Sequence, residues 1–332
     1  MRERHIFFSV VIPLYNKEAT IERALFSVLN QSIQDFEIIV VNDGSTDNGP
    51  NVVQSFDDPR ILMIHQDNQG VSAARNRGIA EAKHDLIAFL DADDVWLPGF
   101  LKAIQQLITN YPHCAVYGTG YFFGQRNGRI SRIIVRGLED NFTGVLENYF
   151  QIAIKSDPPI HSSSIVVTKS AIKTIGGFPL GIKSGEDLLT WARLASSYPI
   201  AYFYKPLSVF ILKNSLAVPA RPPDEKDEVG KGLRMILNQN PEMPFLKEYI
   251  AIWYKMRVSQ FLQVGCREES LKELRMMRQF QQPNAVFCLY FIIALMPRVI
   301  SGKLYSVLCA VKIARRKLIN FIERKDQSGL RV

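Results

Sequence analysis

Between residues 7 and 108, short aliphatic runs alternate with stretches whose apolar residues recur at helical spacing. No other feature of the chain constrains the fold as strongly. Phe7 to Ile12 reads as a first strand, broken at Pro13-Leu14-Tyr15-Asn16. Ile21, Ala24, Leu25, Val28 and Leu29 then line one face of a helix. The cycle repeats with Phe36 to Val41 as a strand, 48–56 as a short helix, Arg60 to Ile64 as a strand and Val71 to Ala82 as a helix. Leu86 to Leu90 follows as a strand, then a helix with Leu97, Phe100, Leu101, Ile104 and Ile108 on one face. Strands separated by helices pair in parallel, which predicts a mostly parallel α/β sheet with helices on both faces. Ligands of such sheets bind beyond the carboxyl ends of the strands. Tyr15, Asp43 and Asp91 each fall just past such an end.

The sharpest of these ends is Phe89-Leu90-Asp91-Ala92-Asp93-Asp94, where an apolar strand stops at three carboxylates. In an extended chain, residues i and i+2 share a face, so Asp91 and Asp93 are expected to point the same way with Asp94 turned aside. Two carboxylates are costly to bring together unless a cation neutralises them. A hard divalent ion with oxygen ligands, Mg²⁺ or Mn²⁺, would do so. A solvated Asp cluster capping the next helix accounts for the same residues equally well.

From residue 114 the pattern changes. Cys114 to Phe123 and Ile130 to Val135 flank Asn127-Gly128, a hairpin signal. Phe142 to Ala153 reads as a helix, Ser162 to Thr168 as a strand and Lys169 to Ile175 as a short helix. Gly176-Gly177-Phe178 is a turn, and Gly185-Glu186-Asp187 opens a helix through Ser196. Ala201 to Tyr204 and Leu207 to Leu212 read as two closing strands. Prolines 219, 222 and 223 mark a boundary, dividing the chain into 1–215 and an all-helical region 216–332. Helices are expected there at about 225–238, 244–264, 267–280, 284–296 and 299–322.

Composition narrows the function. Hydrophobic residues make up 47%, enough for a core. The four cysteines are scattered without a Cys-x-x-Cys pair, against a zinc site or disulfide framework and in keeping with a reducing compartment. Residues 1–12 read as a first strand rather than a signal peptide, because the apolar run is short and ends at Pro13. The net charge of +8 is concentrated: residues 297–332 hold nine Lys/Arg and two Asp/Glu. A nucleic-acid binder would need aromatic residues interleaved with those charges on a groove, and the tail lacks that pattern. Residues 285–296 are apolar throughout, but twelve helical residues reach only about 18 Å, short of a ~30 Å hydrocarbon core. Apolar surface beside Arg315-Arg316-Lys317 and Arg324-Lys325 fits an interfacial helix on an anionic leaflet. A helix buried against the catalytic domain is the alternative.

Six motifs occur in order: Ser9-Val10-Val11-Ile12-Pro13-Leu14-Tyr15-Asn16, Val41-Asn42-Asp43-Gly44-Ser45, Ala74-Arg75-Asn76-Arg77-Gly78, Phe89-Leu90-Asp91-Ala92-Asp93-Asp94, Gly176-Gly177-Phe178 and Gly185-Glu186-Asp187. Together they resemble glycosyltransferase family 2, inverting enzymes of the GT-A nucleotide-diphospho-sugar transferase fold. The resemblance covers about residues 7–212. It implies a sugar moved from a nucleotide-diphosphate donor, UDP by family frequency, to a hydroxyl of a growing glycan or lipid-linked acceptor. The scattered cysteines and the apolar, basic tail add the expectation of a cytoplasmic enzyme, peripheral on the cytoplasmic membrane face.

The resemblance implies roles for particular residues. Pro13 and Tyr15 would lie at the nucleotide, with Tyr15 on the base, and Asp43 would accept from a base N–H. An Asx-turn with Gly44 is the bland role for Asp43. Arg75 would lie near the diphosphate, against an exposed helix charge as its alternative. Asp91 would touch the ribose and Asp93 would ligate the metal. Asp187 would be the general base, although a carboxylate also complements a helix N-terminus. Glu186 would support it or contact the acceptor. Trp191 would be an acceptor platform or a core aromatic, and His161 a loop residue or a ligand or acceptor contact. Relatives often carry a histidine after the last strand, whereas here Leu212-Lys213-Asn214-Ser215 has none, which puts full metal coordination in question. A sugar nucleotidyltransferase would carry a Gly-rich basic loop after the first strand, which is missing. A non-catalytic nucleotide-sugar-binding protein would not need Asp43, Asp91, Asp93 and Asp187 together.

Overall fold

The computed structural model describes residues 5–125, 128–212, 223–224 and 226–296. The described residues fall into two compact units, those up to 212 with 226–249, and 223–224 with 250–296. The expected helix at 299–322, the basic clusters, most of the proline-rich boundary and the Lys213-Asn214 segment lie outside the described residues.

The first unit begins with β1 (Phe8–Leu14), α1 (Glu18–Leu29), β2 (Phe36–Asp43), α2 (Gly49–Gln54), β3 (Ile61–Gln66), α3 (Val71–Glu81) and β4 (Leu86–Phe89). These strands lie in the order β3-β2-β1-β4, all parallel. Every residue of β2 is buried, as expected for a strand covered on both faces. Pro13 does not break β1. The Val11 carbonyl accepts from Leu90 N at 3.1 Å, so Pro13, two residues on, also presents its backbone toward β4. The pairing with β4 ends at Val11, so the missing N–H falls where no ladder remains.

The second half is mixed. β5 (Val95–Trp96), α4 (Phe100–Asn110), β6 (Val116–Gly124), β7 (Ile130–Arg132) and β8 (Thr143–Val145) come first. There follow α5 (Tyr149–Lys155), a single 3₁₀ turn (Ser162–Ser164), β9 (Ile165–Thr168), α6 (Lys169–Thr174), α7 (Glu186–Ser197), β10 (Ile200–Ile211) and α8 (Glu228–Gln239). The sheet continues β4-β9-β6-β10-β5, with β9 antiparallel to both neighbours and β6 parallel to β10. β6 and β7 form the expected hairpin. The helix expected from Phe142 starts only at Tyr149. Thr143 to Val145 instead pair with β10, and the Asn148 side chain caps α5 by accepting from Gln151 N at 2.9 Å. The two expected closing strands are one strand, β10, whose register slips on either side of Pro206, a residue with no N–H for the ladder.

The second unit contains most of α9 (Leu246–Gln263), α10 (Arg267–Arg278) and α11 (Ala285–Leu295). Val258, Leu262, Leu274, Tyr290, Ile293 and Ala294 form its core. Arg257 Nη2 donates to Glu273 Oε1 at 2.8 Å in a buried pair. α11 is apolar all round, yet Phe291 (43%), Ile292 (52%) and Leu295 (47%) are exposed. No described helix is long and apolar enough to cross a membrane.

Candidate active site

The candidate site lies past the carboxyl ends of β1, β2 and β4. Two loops are stitched together there: Asn16 N donates to Ser45 Oγ at 3.1 Å, and Asn16 Oδ1 accepts from Thr46 N at 2.8 Å. Asn16 takes φ 51°, a conformation asparagine tolerates better than most residues. Beside it Tyr15 is 46% exposed, with its ring open to a planar ligand. The Asx-turn belongs to Asn42, whose Oδ1 accepts from Ser45 N at 3.0 Å, and not to Asp43. Asp43 is buried and organises the β3–α3 loop. Its Oδ1 accepts from Gln66 Nε2 (2.7 Å) and Gln69 N (2.9 Å), and its Oδ2 from Gly70 N (2.9 Å).

Arg75 is the centre of the arrangement. Expected either near a diphosphate or exposed on its helix, it is 3% exposed. Its Nη2 donates to Asp91 Oδ1 at 2.7 Å and its Nη1 to Glu186 Oε1 at 3.2 Å. The guanidinium sits over the Phe178 ring, 5.0 Å from the centroid. Its Nε has no partner among the described residues. Burial alone would lower its pKa, but Asp91, Glu186 and Asp187 outweigh burial and hold it charged. Next on α3, Asn76 clamps the Gly176-Gly177-Phe178 turn: its Oδ1 accepts from Phe178 N and its Nδ2 donates to Phe178 O, both at 2.8 Å. Gly177 has φ +69°, and a Cβ there would lie 2.6 Å from Asn76 Oδ1. That turn thus seats Phe178 beneath Arg75.

The three aspartates do not continue the strand. Asp94 N donates to Asp91 O at 2.9 Å, closing a turn. The alternation expected of an extended chain therefore fails, and each carboxylate meets a different partner. Asp91 bonds Arg75. Asp93 pairs with Lys17, and Arg23 Nη2 donates to the Asp93 carbonyl at 3.1 Å. Asp94 is 1% exposed, its Oδ2 accepting from Ser163 Oγ at 2.6 Å and its Oδ1 from Ile211 N at 3.0 Å. Burial, with Asp91 and Asp93 nearby, pushes Asp94 well above the usual carboxylate range. For Asp91 burial acts the same way, but Arg75 and His161 overcome it and its pKa falls.

His161 caps the Ser162–Ser164 turn, its Nδ1 accepting from Ser163 N at 3.2 Å, and stacks on Phe210 at 4.1 Å. Burial lowers its pKa, against the opposite pull of Asp91 and Asp187. Asp91, Asp94 and His161 each offer a ligand atom within 4.8 Å of the others, a group that could hold a metal. The oxygen-rich donor set fits a hard divalent cation. Spacing gave no hint of Lys17 or Ser163. Lys17 pairs across 76 residues, and Ser163 links Asp91 and Asp94 through Asp91 N, which donates to its Oγ at 3.1 Å.

At the start of α7, Gly185 takes φ +85° and turns the chain so that two acids open the helix. Glu186 supports Arg75, and burial followed by the charge of Asp187 raises its pKa. The Asp187 Oδ1 accepts from Leu188 N at 2.7 Å. The charge of Asp187 reaches Arg75 and His161. Trp191 is corrected to a core residue. It is 3% exposed with its ring edge-on to Phe178 at 5.6 Å, and a sugar platform needs an open face.

Residues 9–165 match the family described as "Glycosyl transferase family 2". Among curated proteins, the chain is 35% identical over 122 residues to a glycosyltransferase, GlyA, of Streptococcus pneumoniae, covering 36% of this chain and 18% of that protein. It is 32% identical over 201 residues to an uncharacterized glycosyltransferase of Rickettsia bellii, covering 60% and 28%. The matched stretches thus span less than a third of either relative. Among solved structures, TarS of S. aureus (residues 1–349, in complex with UDP-GlcNAc) superposes with a TM-score of 0.62 at 19% identity, covering 91% of this chain and 92% of that one. The full TarS structure gives 0.61 at 20% identity, covering 85% and 50%. Such identities establish the fold alone, a GT-A mixed α/β sheet with several helices after it. Residues 9–165 therefore carry the glycosyl transferase family 2 match, on a GT-A fold.

Proposed function

We propose that the chain is an inverting glycosyltransferase that moves a sugar from a UDP-sugar to a hydroxyl of a growing glycan or lipid-linked acceptor. The observation that carries this reading is Arg75. By bonding Asp91 past β4 and Glu186 at the start of α7, it brings the donor-side carboxylates and the acceptor-side acids to one place. The TarS structures, solved with UDP-GlcNAc and with UDP, support the donor class.

In this reading Pro13 and Tyr15 border the nucleotide, with the exposed Tyr15 ring on the base, and Asp43 faces a base N–H. Asp91 meets the ribose. Arg75 fixes Asp91 and Glu186, so that the donor carboxylates and the α7 N-terminus keep their separation. Asp187 takes the proton of the acceptor hydroxyl as its oxygen bonds the anomeric carbon from the face opposite the nucleotide. The bond from the anomeric carbon to the diphosphate oxygen breaks, and the nucleoside diphosphate leaves with that electron pair. Mg²⁺ or Mn²⁺, held by Asp93 with Asp91 or by Asp91, Asp94 and His161, would stabilise the charge on the leaving diphosphate.

The exposed apolar face of α11, ahead of a basic sequence, supports a peripheral contact with an anionic cytoplasmic membrane face. That contact would serve a lipid-linked acceptor.

The test is a panel of nucleotide sugars with Mg²⁺ or Mn²⁺, scored for thermal stabilisation and donor hydrolysis. Ligand at 100 times its Kd adds about 2.7 kcal/mol of stability. One or two UDP-sugars should stabilise the protein and release UDP slowly. Release of pyrophosphate from a nucleoside triphosphate and a sugar phosphate would instead identify a nucleotidyltransferase.

A further inference from the structure

The three carboxylates past β4 are neutralised in three unlike ways. Asp91 is held by Arg75, a residue 3% exposed and pinned between two carboxylates and an aromatic ring. Asp94 is held by a hydroxyl and a backbone amide, away from solvent. Asp93 is held by Lys17, and these two side chains are 24% and 22% exposed. Lysine carries a point charge on a flexible four-carbon stem, so its ammonium can change partners where a bidentate arginine cannot. Partly exposed pairs of this kind are worth little, so exchanging one costs little.

The surroundings fix everything about this pair except the ammonium. On one side of Lys17, Asn16 N donates to Ser45 Oγ; on the other, Glu18 N donates to Asp47 Oδ2 at 2.8 Å. Lys17 is the N-cap residue of α1, where an ammonium, having no acceptor, cannot bond the helix N–H groups. Asp93 is also held through its own carbonyl by Arg23 at 3.1 Å, a bond that does not involve the lysine.

We propose that Lys17 is an exchangeable counter-ion. Its ammonium neutralises Asp93 in the free enzyme, and it passes to the diphosphate of the donor when a divalent ion takes the carboxylate. This rests on the reading of the site as a nucleotide-sugar and metal site. Ammonium and metal compete for one carboxylate, so the metal alone binds weakly. A diphosphate gives Lys17 a new anionic partner, which frees Asp93. By linkage, metal and nucleotide then tighten each other by the same factor.

The test measures Mn²⁺ binding to the full-length protein by loss of the free-ion paramagnetic resonance signal, with and without UDP and without turnover. Wild type should bind Mn²⁺ weakly alone and more tightly with saturating UDP, within the roughly 5- to 150-fold usual for coupled sites. Lys17→Met should bind Mn²⁺ alone about tenfold more tightly than wild type, losing most of the coupling, and should bind UDP more weakly. Lys17→Gln should do the same, and Lys17→Arg should keep the wild-type pattern; the thermal melt of each variant reports its folding. If wild type shows the coupling and both neutral variants share it unchanged, the counter-ion role is overturned and the site reading stands. If wild type binds UDP but no Mn²⁺ with it, the metal site fails and this proposal with it.

Discussion

At the scale of single residues, Arg75 and Asp187 make opposite demands on an experiment. Arg75 is buried and its two carboxylate partners are largely so, and removing the buried member of such a pair leaves charge with nothing to answer it. Arg75→Met is expected to lower stability by about 3–5 kcal/mol, read from urea unfolding. A loss under about 1 kcal/mol would mean that Asp91 and Glu186 are rehydrated or protonated without it. Asp187 has no protein cation bonded to it among the described residues, and its Oδ1 accepts only from Leu188 N there. Asp187→Asn should therefore fold normally and bind donor as wild type does, while transfer falls by roughly 10²- to 10⁴-fold, the usual contribution of a general base. Weakened UDP binding as the main effect would assign Asp187 to the donor instead.

At the scale of elements, the site depends on how closely α3 approaches β1. Gly78 makes that approach, since a Cβ at this position would lie 2.3 Å from Val11 Cγ1. Val11 is wholly buried in the central strand and cannot yield without moving β1. Gly78→Ala is expected to cost about 1–3 kcal/mol as an overpacked core, despite alanine being the better helix former. A variant as stable as wild type in urea would show that α3 can shift outward. Such a shift would carry Arg75 and Asn76 with it, so donor binding should fall together with stability. The Asn148 cap of α5 shows a different point about elements. Phe142 to Ala153 has helical apolar spacing, but the pairing of Thr143 to Val145 with β10 takes the first residues for the sheet.

At the scale of the whole molecule, the question is what the outer face of α11 meets. Its inner face packs Tyr290, Ile293 and Ala294 into the helical core, so the helix is neither fully buried nor fully free. Ile292 and Leu295 are exposed and can be changed without disturbing that core. Ile292→Glu with Leu295→Glu should leave the thermal melt near wild type and reduce co-sedimentation with anionic vesicles at low salt several-fold. Each glutamate removes apolar area and adds repulsion from the leaflet. Equal sedimentation of wild type and variant would remove α11 from any membrane contact.

The sequence by itself determined the parallel half of the sheet, because strands buried on both faces and helices with one apolar face leave different periodicities. It also placed Tyr15, Asp43 and Asp91 at or just past strand ends, because strand ends are local. It did not determine which charges meet. Asp91, Ala92, Asp93 and Asp94 were read as extended, but the Asp94 N to Asp91 O bond turns them, and a turn sends neighbouring carboxylates to separate partners. Those partners, Lys17, Arg75 and Ser163, come from positions 76, 16 and 69–72 residues away in the chain. Such pairings leave no period in the sequence and exist only once β1, α3 and the Ser162–Ser164 turn are packed around β4. Trp191 shows the same limit: its helical position was legible, but whether its ring faced water or Phe178 was settled by the turn that Asn76 clamps.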